Sequence, residues 1–196
     1  YMDIIRLKGI EDLVEKYYNG DYFSHTIQFL INNYYKGAFQ FYEALLDYWE
    51  SNDYHTVSHS RKNLYKYLME FIVFKNFKHL SILKELLIYD YTVNNKKSNL
   101  PTFLKDKTKD LLKKDIHDIL KDKRILENYL NEYKDIPTKW VINTTNIKKF
   151  QFDILNIISN NYKPIKEADE RYILFNYKEG PIVRCDTNDI TDIVRE

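Results

Sequence analysis

In the stretch "DYWESNDYHTVSHSRKNLYKYL", Asp47 to Leu68, one Trp, four Tyr and two His crowd the break between two helical patterns. His55 and His59 are spaced i, i+4, which on a helix puts two imidazoles on one face, a workable pair of metal ligands. Two ligands leave a zinc shell half empty, and no acid stands at a diagnostic spacing from them. Asp47, Glu50 and Asp53 lie nearby, where carboxylates commonly serve as caps and solvated charges. Arg61, at the start of the next helix, can stack on an aromatic ring or pair with a carboxylate and so pin the two helices together. Tyr48, Trp49, His55, His59 and Arg61 would equally wall a substrate pocket, so the corner is either a site or a packed joint. The packing reading is favoured, because aromatic stripes at helical spacing mostly belong to cores. It expects no metal here, and it has His59 and Arg61 bracing back toward Tyr48 or Glu50, with the His59 ring bonded to backbone or Tyr.

Elsewhere the chemistry is thin. No P-loop, GxGxxG or HExxH stands in the chain, so the common nucleotide and zinc-peptidase signatures are absent. The lone cysteine, Cys185, follows Arg184 in what reads as a coil-like tail. It has no neighbouring base to activate it, and one cysteine cannot build a disulfide or a Cys-rich cluster site within the chain. No catalytic residue is expected.

The elements that position the corner read as helices. Ile10, Leu13, Val14, Tyr17 and Tyr18 form one apolar stripe, ended by Asn19-Gly20. A second stripe holds Phe23, Ile27, Leu30, Ile31 and Tyr34, with Asp21 or Ser24 as cap. A third holds Ala38, Phe41, Tyr42, Leu45, Tyr48 and Trp49. Past "ESND", Thr56 or Ser58 would cap a fourth helix carrying Leu64, Tyr67, Leu68, Phe71 and Ile72. A fifth spans about Phe77 to Tyr91. After a polar loop, helical spacing resumes at Leu111, Leu112, Ile116, Ile119 and Leu120 with Thr108 as a cap. A short helix around Ile125 to Tyr133 ends before Pro137. Beyond it, "KWVINTT", "KKFQFDIL" and "RYILFNYK" alternate like strands. The fold expected is mainly α, an antiparallel helical bundle over residues 1–136, with a small β-containing subdomain over 137–196 packed on it as one structural unit.

Bulk properties agree with a globular protein: of 196 residues, 44% are hydrophobic and 30% charged. Thirty basic against 29 acidic residues leave a net charge of +1, which argues against nucleic acid and anionic membranes as partners. The densest charge run, Lys105 to Arg124, mixes eight basic with five acidic residues and reads as a solvated helix face. No apolar run approaches the roughly 20 residues that span a bilayer, so a cytoplasmic setting is expected. The opening at Tyr1 on helix-like sequence is expected to mark a piece of a longer polypeptide.

Several runs, "RLKGIEDLVEKYYNGDYF", "FYEALLDYWESNDYHTVSHSRKNLYKYLMEF", "LLIYDY", "LP" and "ILFNY", together give the chain a family likeness. It resembles an uncharacterised C-terminal domain of bacterial radical SAM proteins, in which it follows a cobalamin-binding domain and a barrel with a CxxxCxxC motif. The resemblance runs from Arg6 to about Tyr177 and is strongest from Asp47 to Phe71. It implies a parent protein that binds a [4Fe-4S] cluster, S-adenosyl-L-methionine and cobalamin in its upstream domains. No cofactor is then expected in this fragment, and the family's catalytic residues map to no position here. The implied role is accessory: to cover the barrel or to help bind substrate or partner. The alternative from another class is a freestanding helical module that binds nucleic acid or protein.

Overall fold

The computed structural model describes residues 2–56, 59–96, 99–105, 111–178, 180 and 184–196. Among these, apolar residues at helical spacing build five helices in the first half: α1 (Met2–Tyr17), α2 (Ser24–Tyr34), α3 (Ala38–Ser51), α4 (Arg61–Phe74) and α5 (Leu80–Asn94). Short polar or one-turn helices follow: α6 (Lys113–Ile119), α7 (Lys123–Tyr129), α8 (Thr138–Val141), α9 (Ile154–Ser159) and α10 (Thr191–Arg195). Strands β1 (Thr145–Phe150), β2 (Arg171–Lys178) and β3 (Arg184–Asp189) complete the fold. It is mainly α with one three-stranded antiparallel sheet, order β1-β2-β3. Among the described residues no helix is long and apolar enough to cross a membrane.

The chain forms two compact units, one of Tyr1–Tyr91 with Ile157–Pro164, the other of Thr92–Asn156 with Ile165–Glu196. In the first, α1 buries Ile10, Leu13 and Tyr17 as its stripe predicts, but Tyr18 is 67% exposed because the helix stops at Tyr17. Gly9 allows α1 to approach α3 closely: a Cβ there would lie 2.8 Å from Leu46 Cδ1. On the facing stripes of α3 and α4, Phe41, Leu45, Tyr48, Trp49, Leu64, Leu68 and Phe71 are all buried. Phe41 and Phe71 meet edge to face at 6.2 Å, and Tyr48 meets Phe71 at 5.6 Å.

In the second unit, Leu120, Ile125, Leu130, Val141, Ile147, Leu174 and Ile190 share one core. In this division α6, α7 and α8 fall in the same unit as the sheet. The physical reason is that the apolar side chains of the Leu111–Leu130 region find their partners on β1 and β2.

Two strand expectations differ from the structure. "KWVINTT" is one helical turn, α8, followed by a turn. Pro137 precedes that helix with φ −55°, and the Thr144 and Thr145 hydroxyls donate to the Val141 carbonyl. "RYILFNYK" is β2 residue for residue, whereas "KKFQFDIL" yields only the end of β1 before the Asp153 carboxylate accepts from Asn156 N–H at the start of α9. The tail around Cys185 is a third strand, β3, paired so that Tyr177 faces Cys185. Its sequence, "RCDTND", lacks strand signals because an edge strand needs backbone pairing more than apolar side chains.

Candidate functional site

The corner is built by a reversal between α3 and α4. Asn52 ends α3, its Nδ2 donating to the Tyr48 carbonyl at 2.8 Å. Asp53 then turns left-handed at φ 53°, a conformation that Asp tolerates better than most residues. A 3-10 turn, Tyr54–Thr56, follows, with Thr56 Oγ1 donating to the Asp53 carbonyl. The helix cap is Ser60, whose side chain accepts from Asn63 N–H at 3.3 Å, and not Thr56. Ser58, the other cap expected, lies outside the described residues, as does Thr108.

Trp49, fully buried at the end of α3, is the hub. His59 lies 4.8 Å and His55 5.4 Å from its ring centre. Tyr17 of α1, Tyr54 and Tyr67 of α4 meet it edge-on at 5.9, 5.8 and 5.7 Å. Tyr54 stacks on Tyr67 at 3.9 Å, and the His59 ring stands edge-on to Tyr67 at 5.5 Å. Tyr48, Trp49, His55 and His59 are therefore brought together.

Arg61 points elsewhere. Its guanidinium lies 3.6 Å from the centre of the Tyr22 ring, and Nη2 donates to the Tyr22 hydroxyl at 2.6 Å. Tyr65 donates to the Tyr22 carbonyl at 2.6 Å. The start of α4 is thus clamped to the α1–α2 connection, and not to Tyr48 or Glu50 as the spacing suggested.

The electrostatics favour a neutral His59. Burial lowers its pKa, Lys16 adds to the effect, and the Tyr54 backbone and Asp12 offset only part of it. Its Nδ1 and the Trp49 Nε1 are buried without a hydrogen-bond partner among the described residues. The backbone hydrogen bond expected for His59 is the one to Tyr54 that offsets part of this fall, while Nδ1 stays without a partner among the described residues. His55 Nδ1 stands 4.0 Å from the Asp12 carboxylate, which also pairs with Lys16. That group could offer a metal two ligands, and among the described residues no group of three or more His, Cys, Asp or Glu side chains is placed to hold a metal ion. Asp12 and Tyr17 were not foreseen, because both reach the corner from α1, whose local sequence says nothing of Trp49.

A second polar cluster in this unit also escaped the sequence reading. Asp90 of α5 is 1% exposed and caps the start of α2. It accepts from His25 N–H at 3.2 Å, Thr26 N–H at 2.9 Å and Thr26 Oγ1 at 2.7 Å. The His25 ring is hydrogen-bonded to the Tyr162 hydroxyl at 2.9 Å, and burial lowers its pKa. The signal in sequence was a carboxylate inside the apolar run "LLIYDYT".

Cys185 is half-buried on β3, and burial together with Asp186 pushes its thiol up to about 12. A thiol held that high is almost wholly protonated at neutral pH and is a poor nucleophile. Alkylation by iodoacetamide at pH 8 is expected to run at least about tenfold slower than on an unfolded control of the same chain. Equal rates would show an activated or fully exposed thiol.

No curated protein and no solved structure matches the chain. A family model described as a protein of unknown function, DUF4080, matches residues 1–175, which include both histidines, the Trp49 hub and most of β2. By that match the chain belongs to the DUF4080 family.

Proposed function

We propose that this chain is an accessory domain of a radical SAM protein whose [4Fe-4S] cluster, S-adenosyl-L-methionine and cobalamin are bound by upstream domains of the same polypeptide. Its work is to cover the barrel or to help bind substrate or partner, and it performs no bond-making step itself. The observation that carries this reading is the surface of α1, where Ile4, Ile5 and Leu7 are all half exposed or more. Three large aliphatics left to water on one helix suit coverage by a neighbouring domain. The disposition of the reactive groups supports the same reading: the Cys185 thiol is held protonated, and the His59 ring is spent as a packing surface. A lid of this kind shields a radical from water.

The test uses the whole polypeptide that contains this chain, with and without it. The full protein is expected to carry an iron–sulfur cluster and to cleave S-adenosyl-L-methionine. The version lacking residues 1–196 should keep the cluster but lose turnover of substrate or leak S-adenosyl-L-methionine cleavage unproductively. A parent without a CxxxCxxC motif, or undiminished productive turnover after deletion, would overturn the proposal.

A further inference from the structure

Beside the Trp49 hub, the ends of α3 and α4 border an open surface depression of about 420 Å³. Three aromatic rings border it. Tyr48 meets Phe74 at 5.2 Å and 42°, and it meets Tyr54 edge-on at 6.1 Å. The carboxylate of Glu70 stands in the same wall, and Oε2 accepts from the Tyr54 hydroxyl at 2.8 Å, which fixes its orientation. Val73 and Phe74, 53% and 67% exposed, leave an apolar rim open to solvent.

We infer that this pocket binds an organic cation, a guanidinium or alkylammonium group, with the Tyr48, Tyr54 and Phe74 rings as its walls and Glu70 as its counter-charge. Aromatic faces carry negative potential that attracts a cation, and a fixed carboxylate at the same place adds to it. A simple anion would meet repulsion from both. Two of the chain's own cations lie close. Lys66 Nζ is 3.6 Å from Glu70 Oε1, and Lys75 Nζ is 5.9 Å from the Phe74 ring centre. Both lysines are exposed, and solvated pairs of this kind are weak, so a ligand displaces Lys66 at little cost. A guanidinium is less strongly hydrated than an ammonium and stacks on rings, which makes it the better occupant. The inference rests on this pocket alone and is independent of any parent protein.

Titration of the chain with N-acetyl-arginine amide, followed by NMR, is the test. Binding with a dissociation constant on the order of millimolar is expected, with shifts centred on Tyr54, Glu70 and Phe74. The uncharged isostere N-acetyl-citrulline amide should bind at least about fivefold more weakly, and Glu70→Gln and Phe74→Ala should each reduce arginine binding by about fivefold to tenfold. Phe74 is largely exposed and Glu70 partly so, so both variants are expected to melt like the parent chain. A short peptide with one arginine flanked by leucines separates the sources: tighter binding than the free amide assigns the cation to a polypeptide, equal binding to a small molecule. Equal affinity for arginine and citrulline, or shifts that map elsewhere or survive both substitutions, would overturn the inference.

Discussion

Replacing Trp49 by alanine is expected to destabilise the chain by about 3–5 kcal/mol, the range for large aromatic truncations in cores. The indole is fully buried and is surrounded by Tyr17, Tyr54, His55, His59 and Tyr67. These neighbours belong to α1, the 3-10 turn, the segment just before α4, and α4 itself, so no single one can swing in to fill the void. A partly collapsed cavity is the costly case. Urea denaturation measures the effect, with Phe74→Ala as the control: its ring is 67% exposed and its loss should cost under about 0.5 kcal/mol. A loss below about 1 kcal/mol for Trp49→Ala with the fold intact would mean that the ring is not a core element.

Asp90→Ala is the second large effect. The carboxylate accepts from two backbone N–H groups at the start of α2 and from the buried Thr26 hydroxyl. Removing it strands buried donors at roughly 1–3 kcal/mol each, so a loss of about 3 kcal/mol is expected. Its titration adds a pH signature. Burial raises the Asp90 carboxyl to about 7 from 3.8, against the opposing pull of the Thr26 and His25 hydrogen bonds. A carboxyl whose folded pKa lies above its unfolded value holds its proton more tightly in the folded state. Its contribution is full below the unfolded value and is lost as pH rises through the folded one. Stability should therefore fall between pH 4 and about 7 and level off above that, and Asp90→Asn should flatten the fall. A parent chain whose stability rises across that range, with no change in slope in Asp90→Asn, would contradict this account of the cap.

The helices of the first unit were legible because each carries its own apolar period, as Phe41, Leu45, Tyr48 and Trp49 do on α3. β2 was legible for the same kind of reason, since "RYILFNYK" is apolar enough to be a central strand. What failed was decided at a distance. "KWVINTT" alternates like a strand, yet Pro137 and the Thr144 and Thr145 hydroxyls favour one helical turn. β3 is polar and exists because β2 offers it backbone partners. At the corner, Trp49, His55 and His59 are sequence neighbours and were found together. Arg61 was misdirected because Tyr22, its true partner, lies in an earlier connection that no local pattern ties to it. Glu70 and Tyr54 were passed over for the same reason, since a Tyr–Glu hydrogen bond one turn-and-helix apart leaves no periodic trace.

The expectation for the corner is that packing around Trp49 holds it, without ligation through its histidines. Calorimetric titration of metal-free chain with zinc tests that claim most directly. His59 is wedged against Trp49 and Tyr67, and His55 has Asp12 as its nearest carboxylate, so the group falls short of the four ligands of a closed zinc site. The predicted result is no stoichiometric binding in the sub-micromolar range and no change in thermal stability on adding zinc. Stoichiometric sub-micromolar binding that disappears in the His55→Ala, His59→Ala double variant would contradict it.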